Sequence, residues 1–129
     1  MLPRPLDDIP TSERPAFSLV VPMFNEEDSI AELYGEVRGV MEGLEEPWEL
    51  LFVDDGSTDD SVARARELAS GDERVKLVRF VRNFGKSAAY MAAFDRVMGR
   101  FVVTLDADLQ DDPHEIPRLY ERLQAEQWD

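Results

Sequence analysis

Short apolar runs alternate along this chain with longer stretches whose apolar positions recur every three or four residues. Residues 17–21, 48–53, 75–81 and 101–105 are rich in Val, Leu and Phe, and read as strands buried on both faces. Pro22 is expected to end the first of them. Between the first two strands, Ile30, Leu33, Tyr34, Val37, Val40, Met41 and Leu44 keep helical spacing. Asn25 and Asp28 can cap that helix. Val62, Ala65, Leu68 and Ala69 give the second helix a modest apolar face. Ser57 or Thr58 is expected as its cap, Asp59 and Asp60 in its first turn, and Gly71 at its end. Residues 87–98 are apolar almost all round, which predicts a helix buried from several sides, its methionines and aromatics in the core. Pro113 suits the first position of a last helix with Ile116, Leu119, Tyr120 and Leu123 on its inner face.

The order β-α-β-α-β-α-β-α with short links predicts an α/β fold, a Rossmann-like, mostly parallel sheet with helices on both faces. With 129 residues the chain holds one domain. Residues 1–15 contain four prolines and read as a flexible arm, and residues 16–129 as the folded unit. Fourteen Lys and Arg against 28 Asp and Glu give a formal charge of −14, a surface that repels nucleic acid. The absence of cysteine removes disulfides, thiolate metal sites and a cysteine nucleophile. No apolar run approaches the roughly 20 residues that span a bilayer, so the expected location is cytoplasmic.

Each conspicuous polar cluster follows a strand: residues 22–26, 54–57, 82–86 and 106–112. In open α/β sheets the ligand crevice lies outside the carboxyl ends of the strands. Asp106 and Asp108 can offer hard oxygen ligands to Mg²⁺ or Mn²⁺ together with a diphosphate. Arg82 and Lys86 add positive charge, and the helix start at Ser87 offers free N–H groups. Asp111 and Asp112 read as capping residues, Arg82 as a surface ion-pair partner, and His114 as an exposed first-turn residue. No G-x-G-x-x-G or G-x-x-x-x-G-K-[ST] is present, and the single histidine leaves no Ser-His-Asp arrangement.

Four motifs follow one another in order: Val21-Pro22-Met23-Phe24-Asn25-Glu26-Glu27, Val53-Asp54-Asp55-Gly56-Ser57-Thr58-Asp59, Arg82-Asn83-Phe84-Gly85-Lys86 and Asp106-Ala107-Asp108-Leu109-Gln110-Asp111. Together they resemble the donor-binding half of a family 2 glycosyltransferase of GT-A fold, in the polyprenyl-phosphate branch. The resemblance implies inverting transfer of a sugar from a UDP- or GDP-linked donor to a polyprenyl phosphate. It implies that Pro22, Phe24, Glu26, Val53 and Asp55 surround base and ribose, with Asp55 on the base and Asp54 bracing the loop. Asp106, Ala107, Asp108 and Gln110 would hold the diphosphate, with Asp106, Asp108 and Gln110 around the Mg²⁺ or Mn²⁺. Asp106 and Asp108 are then the catalytic candidates, and Lys86 lies near the donor. Where the family often reads Asp-Pro-Pro after Leu-Gln, this chain has Asp111-Asp112-Pro113.

The resemblance further implies an acceptor half beyond residue 129, and membrane association at the cytoplasmic face through parts absent here. Alone, the chain is expected to bind a nucleoside diphosphate weakly and to transfer no sugar. Two other readings stand beside this one: a Mg²⁺-binding regulatory domain of receiver type, and an inactive nucleotide-binding fragment.

Overall fold

In the computed structural model, which describes residues 14–125, four parallel strands form the sheet. They are β1 (Phe17–Met23), β2 (Trp48–Asp54), β3 (Val75–Arg79) and β4 (Phe101–Thr104), in the order β3-β2-β1-β4. The connecting helices are α1 (Ile30–Leu44), α2 (Ser61–Gly71) and α3 (Lys86–Phe94); a 3-10 turn (Pro113–Glu115) leads into α4 (Ile116–Ala125). The expected fold class is borne out. Apart from its last two residues, the expected N-terminal arm lies outside the described residues.

Alternation along the strands divides the core. Leu19, Val21, Met23, Leu50 and Phe52 face α1, α2 and α4, where Ile30, Leu33, Val37, Met41, Ala65 and Ile116 meet them. Val20, Leu51 and Val53 face the other way, against Ala89 and Ala93 of α3. Helices therefore cover both faces, but unequally.

That inequality overturns one expectation. Ala89 and Ala93, one helical turn apart, are the buried residues of α3, while Met91 is 70% and Phe94 52% exposed. A single helix meets the sheet along one stripe, so the methionine and aromatic side chains on its far side stay outside the core.

Pro22 lies within β1 instead of after it. Val20 accepts from Leu105 N–H on the β4 side, and Met23 accepts from Asp55 N–H on the β2 side. Bonding direction alternates along a strand, so the missing N–H of Pro22 falls on the β4 side. Pairing there ends at Val20 with Thr104, the point beyond which a residue-22 N–H would have continued the ladder.

The helix starts also differ from expectation. Ser29, not Asn25 or Asp28, precedes α1, and its side chain makes no cap bond to that helix. Asp59 and Asp60 lie before α2 instead of in its first turn, in a segment whose backbone N–H groups from 57 to 61 bond to side chains of the first two loops. His114 is exposed as expected, within the 3-10 turn that Asp112 caps through His114 N–H.

At the amino end of the sheet, buried Glu49 accepts from the Ser18 hydroxyl, from Met98 N–H at 2.8 Å and from the Lys76 ammonium at 3.0 Å. Gly99 N–H donates to the Ser18 oxygen, tying the α3–β4 connection to β1. A Cβ on Gly99 would stand 2.5 Å from Ser18 N, which explains glycine at this crossing.

Candidate functional site

The chain runs from β1 outward through β2 to β3, then returns to the other side of β1 as β4. This places the topological switch point between β1 and β4, where open α/β sheets bind ligands. A cavity of about 220 Å³ opens there. Its walls are Pro22 and Met23 at the end of β1, Phe24 and Glu26 after it, Asp55 after β2, Lys86 and Ala89 of α3, and Asp106, Ala107 and Asp108 after β4.

The four loops are tied to one another around this cavity. Asn25, held at φ 53°, accepts from Thr58 N–H at 2.8 Å, while its own N–H donates to the Ser57 hydroxyl oxygen. Glu26 N–H donates to Ser61 and Glu27 N–H to Asp59, so the first loop is sewn to the second. Asp54 braces the second loop, its Oδ2 accepting from Ser57 N–H at 3.0 Å. Buried Asp55 reaches the third loop and accepts from Phe84 N–H at 2.7 Å and Gly85 N–H at 3.0 Å. Gly56 packs so close to the Arg82–Asn83 backbone that a Cβ would stand 2.5 Å from the Arg82 carbonyl carbon. The Lys86 ammonium, 2.7 Å from Asp106 Oδ1, joins the third loop to the fourth. Finally the Ser29 hydroxyl donates to the Ala107 carbonyl, closing the circuit onto the first loop.

Pro22, Phe24, Glu26, Asp55, Lys86, Asp106, Ala107 and Asp108 are thus gathered on one cavity, as their positions after successive strands suggested. The phenyl ring of Phe24 is exposed at the rim instead of packed in the core. Two candidates stand apart. Val53 is fully buried among Val20, Leu51 and Ala89, because its alternation points it into the core under α3. Gln110 is exposed and off the cavity wall; its backbone N–H, not its amide, meets Asp108 Oδ1 at 3.2 Å. The left-handed turn at Leu109, φ 67°, separates it from the strand end. Asp111 braces the fourth loop by accepting from Asp106 N–H instead of capping a helix. Arg82 lies over the Phe84 ring, 4.6 Å from its centroid. Met23 and Ala89 line the cavity without having been singled out. Ala89 was legible as the small residue one turn after Lys86, where a larger side chain would fill the space.

Negative charge concentrates on the same wall. Burial raises the Glu26 carboxyl above its ordinary value, and Asp108, Asp59 and Asp106 push it in the same direction. The hydrogen bond to Asp106 raises Lys86, which keeps its ammonium charged. Among the described residues no group of three His, Asp or Glu side chains is placed to hold a metal by itself. A pair of carboxylates fits Mg²⁺ or Mn²⁺ when substrate phosphates complete the shell; Asp106 and Asp108 both lie on the cavity wall.

The sequence model of glycosyl transferase family 2 matches residues 18–129, nearly the whole chain. This chain belongs to that family. Among its relatives, dodecaprenyl-phosphate galacturonate synthase of Rhizobium johnstonii is 42% identical over 113 residues, covering 87% of this chain and 33% of the relative. Undecaprenyl-phosphate 4-deoxy-4-formamido-L-arabinose transferase of Pectobacterium carotovorum is 44% identical, covering 81% of this chain and 32% of the relative. A mannosyltransferase of Pyrobaculum calidifontis, solved with GDP-Man and Mn²⁺, superposes with a TM-score of 0.71 at 26% identity, over 87% of this chain and 33% of that one. The chain spans about a third of the length of these proteins. As a family 2 member it has the parallel sheet and strand-end site expected of the GT-A fold, and the receiver reading loses its support. No helix among the described residues is long and apolar enough to cross a membrane.

Proposed function

We propose that this chain is the donor-binding part of an enzyme that transfers a sugar from a UDP- or GDP-linked donor to a polyprenyl phosphate. The observation that carries the reading is the cavity at the β1–β4 switch point, with carboxylates and one lysine on its wall. The two relatives named for polyprenyl phosphates support the acceptor class, and the neighbour solved with GDP-Man and Mn²⁺ supports the donor class.

In this reading Pro22, Phe24 and Glu26 flank the base and ribose, and Asp55 meets the nucleoside while its loop bonds hold the third loop in place. Asp106 and Asp108 hold Mg²⁺ or Mn²⁺, and Lys86 faces the diphosphate. The ion, when bound, neutralises charge that develops on the departing nucleoside diphosphate. A lipid phosphate is already anionic near neutral pH, so transfer with inversion at the anomeric carbon asks little of a general base. Positioning of the donor by these residues then supplies most of the chain's contribution.

Calorimetric titration of UDP and of GDP into the chain with Mn²⁺ tests the assignment. Binding of one nucleotide that weakens about tenfold or more in Asp108→Ala is the expected result. Equal binding by the variant removes Asp108 from the site, and no binding of either nucleotide overturns the reading.

A further inference from the structure

The circuit around the cavity has one link unlike the others. Asn25, Asp55 and Ser29 join neighbouring loops through backbone N–H or C=O groups, and the Asp55 carboxylate is buried. The bond between the third and fourth loops is an ion pair of two side chains, with Lys86 58% and Asp106 36% exposed. Breaking the bonds of the buried Asp55 carboxylate strands a polar group, and the exposed Asn25 bonds are anchored on backbone that the fold holds in place. An exposed ion pair of two flexible side chains, in contrast, separates into water at little cost. Lys86 and Asp106 also both lie on the cavity wall. A ligand can therefore open this link and leave the other three intact.

Both partners have a second use for their charge. Asp106 has the hard oxygens a divalent cation requires, and such a cation on Asp106 displaces the ammonium by repulsion and by competition for Oδ1. The released ammonium sits at the first residue of α3, beside the N-terminal amides of that helix, where anionic groups are favoured. A flexible four-carbon stem lets it swing without moving the backbone.

We propose that Lys86 is an exchangeable counter-cation, which pairs with Asp106 until a divalent cation takes that carboxylate and then transfers its bond to a phosphate of the nucleotide. The proposal rests on the donor-site reading above and adds to it a definite order: metal and lysine compete on Asp106 but cooperate on the diphosphate. Removing the lysine charge must therefore act with opposite sign on the two ligands.

Titration of the full chain with Mn²⁺ alone, followed by electron paramagnetic resonance of the free ion, reads the first half; calorimetry with UDP or GDP at saturating Mn²⁺ reads the second. Lys86→Gln is expected to bind Mn²⁺ alone about threefold more tightly. It is expected to bind the nucleoside diphosphate about tenfold more weakly, and Lys86→Arg to lie near wild type in both. Unchanged or weaker Mn²⁺ binding by Lys86→Gln overturns the exchange, even where nucleotide binding by wild type upholds the donor site. Tighter Mn²⁺ binding with unchanged nucleotide binding overturns the transfer to phosphate. A wild-type chain that binds Mn²⁺ but neither nucleotide sinks the donor-site reading instead, and the exchange with it.

Discussion

Each end of the sheet carries a lysine paired with a carboxylate, and the two pairs are built in opposite ways. At the amino end Lys76 bonds Glu49, whose carboxylate is nearly buried and also accepts from Ser18 and Met98. At the carboxyl end Lys86 bonds Asp106 in the open, with no further donor on that carboxylate among the described residues. The neighbouring acids differ in the same sense. Bonds from Arg74 hold Asp72 well below the ordinary carboxylate range, whereas burial and nearby Asp108 raise Glu26 from its ordinary value. One end is satisfied and the other is charged beyond what its own residues neutralise. That residual charge suits a site completed by a cation and a phosphate.

The largest expected effect comes from Glu49→Ala. It strands the buried Ser18 hydroxyl and the Met98 N–H, while the half-exposed Lys76 ammonium turns to water, and should cost about 2 kcal/mol of unfolding free energy in urea. Lys86→Gln should cost less than about 1 kcal/mol in the same assay. Similar losses for both would erase the distinction between the two ends.

Asp72→Asn is expected to come next. The native carboxylate accepts from Arg74 and from the Tyr34 hydroxyl, and its lowered pKa means that ionisation stabilises the fold. That stability is present above the unfolded pKa and is lost as pH falls through and below the ordinary carboxylate range. The variant should be about 1 kcal/mol less stable than wild type near pH 7. The gap should shrink steadily in urea titrations carried into acid; a gap independent of pH would count against the ionised bond.

How far this division was legible in the sequence depends on the range of the interactions concerned. Strand alternation is local, so the β-α order and the strand-end placement of Pro22, Asp55, Lys86 and Asp106 could be read directly. The exposure of Met91 and Phe94 could not, because it depends on how much of a sheet face one helix covers. Val53 was implied by the motif resemblance; its side chain lies in the core under α3, whereas Asp55 lies past the end of β2, in the loop. Asn25 looked like a helix cap because capping is the commonest local use of such a residue; its partners Thr58 and Ser57 are more than thirty positions away. Gln110 was likewise implied by the motif resemblance, and it lies beyond the left-handed turn at Leu109, exposed and off the cavity wall.

The smallest effect carries the sharpest sign. Glu26 has a raised pKa, so in the unfolded chain it gives up its proton at lower pH than in the fold. Below the ordinary carboxylate range both states are protonated and the residue adds no penalty. As pH rises toward neutrality the unfolded state ionises first, and the fold loses stability relative to it. Glu26→Gln removes that loss and should stabilise the chain by a few tenths of a kcal/mol near pH 7, with no gain near pH 3. The trend is opposite to that of Asp72, so thermal melts of the two variants over one pH series compare the ends directly. Saturating Mn²⁺ should also diminish the gain from Glu26→Gln, because a cation on Asp106 and Asp108 relieves the repulsion that Glu26 experiences. A gain that persists unchanged with Mn²⁺ would mean that burial alone raises Glu26 and that the three acids do not share one field.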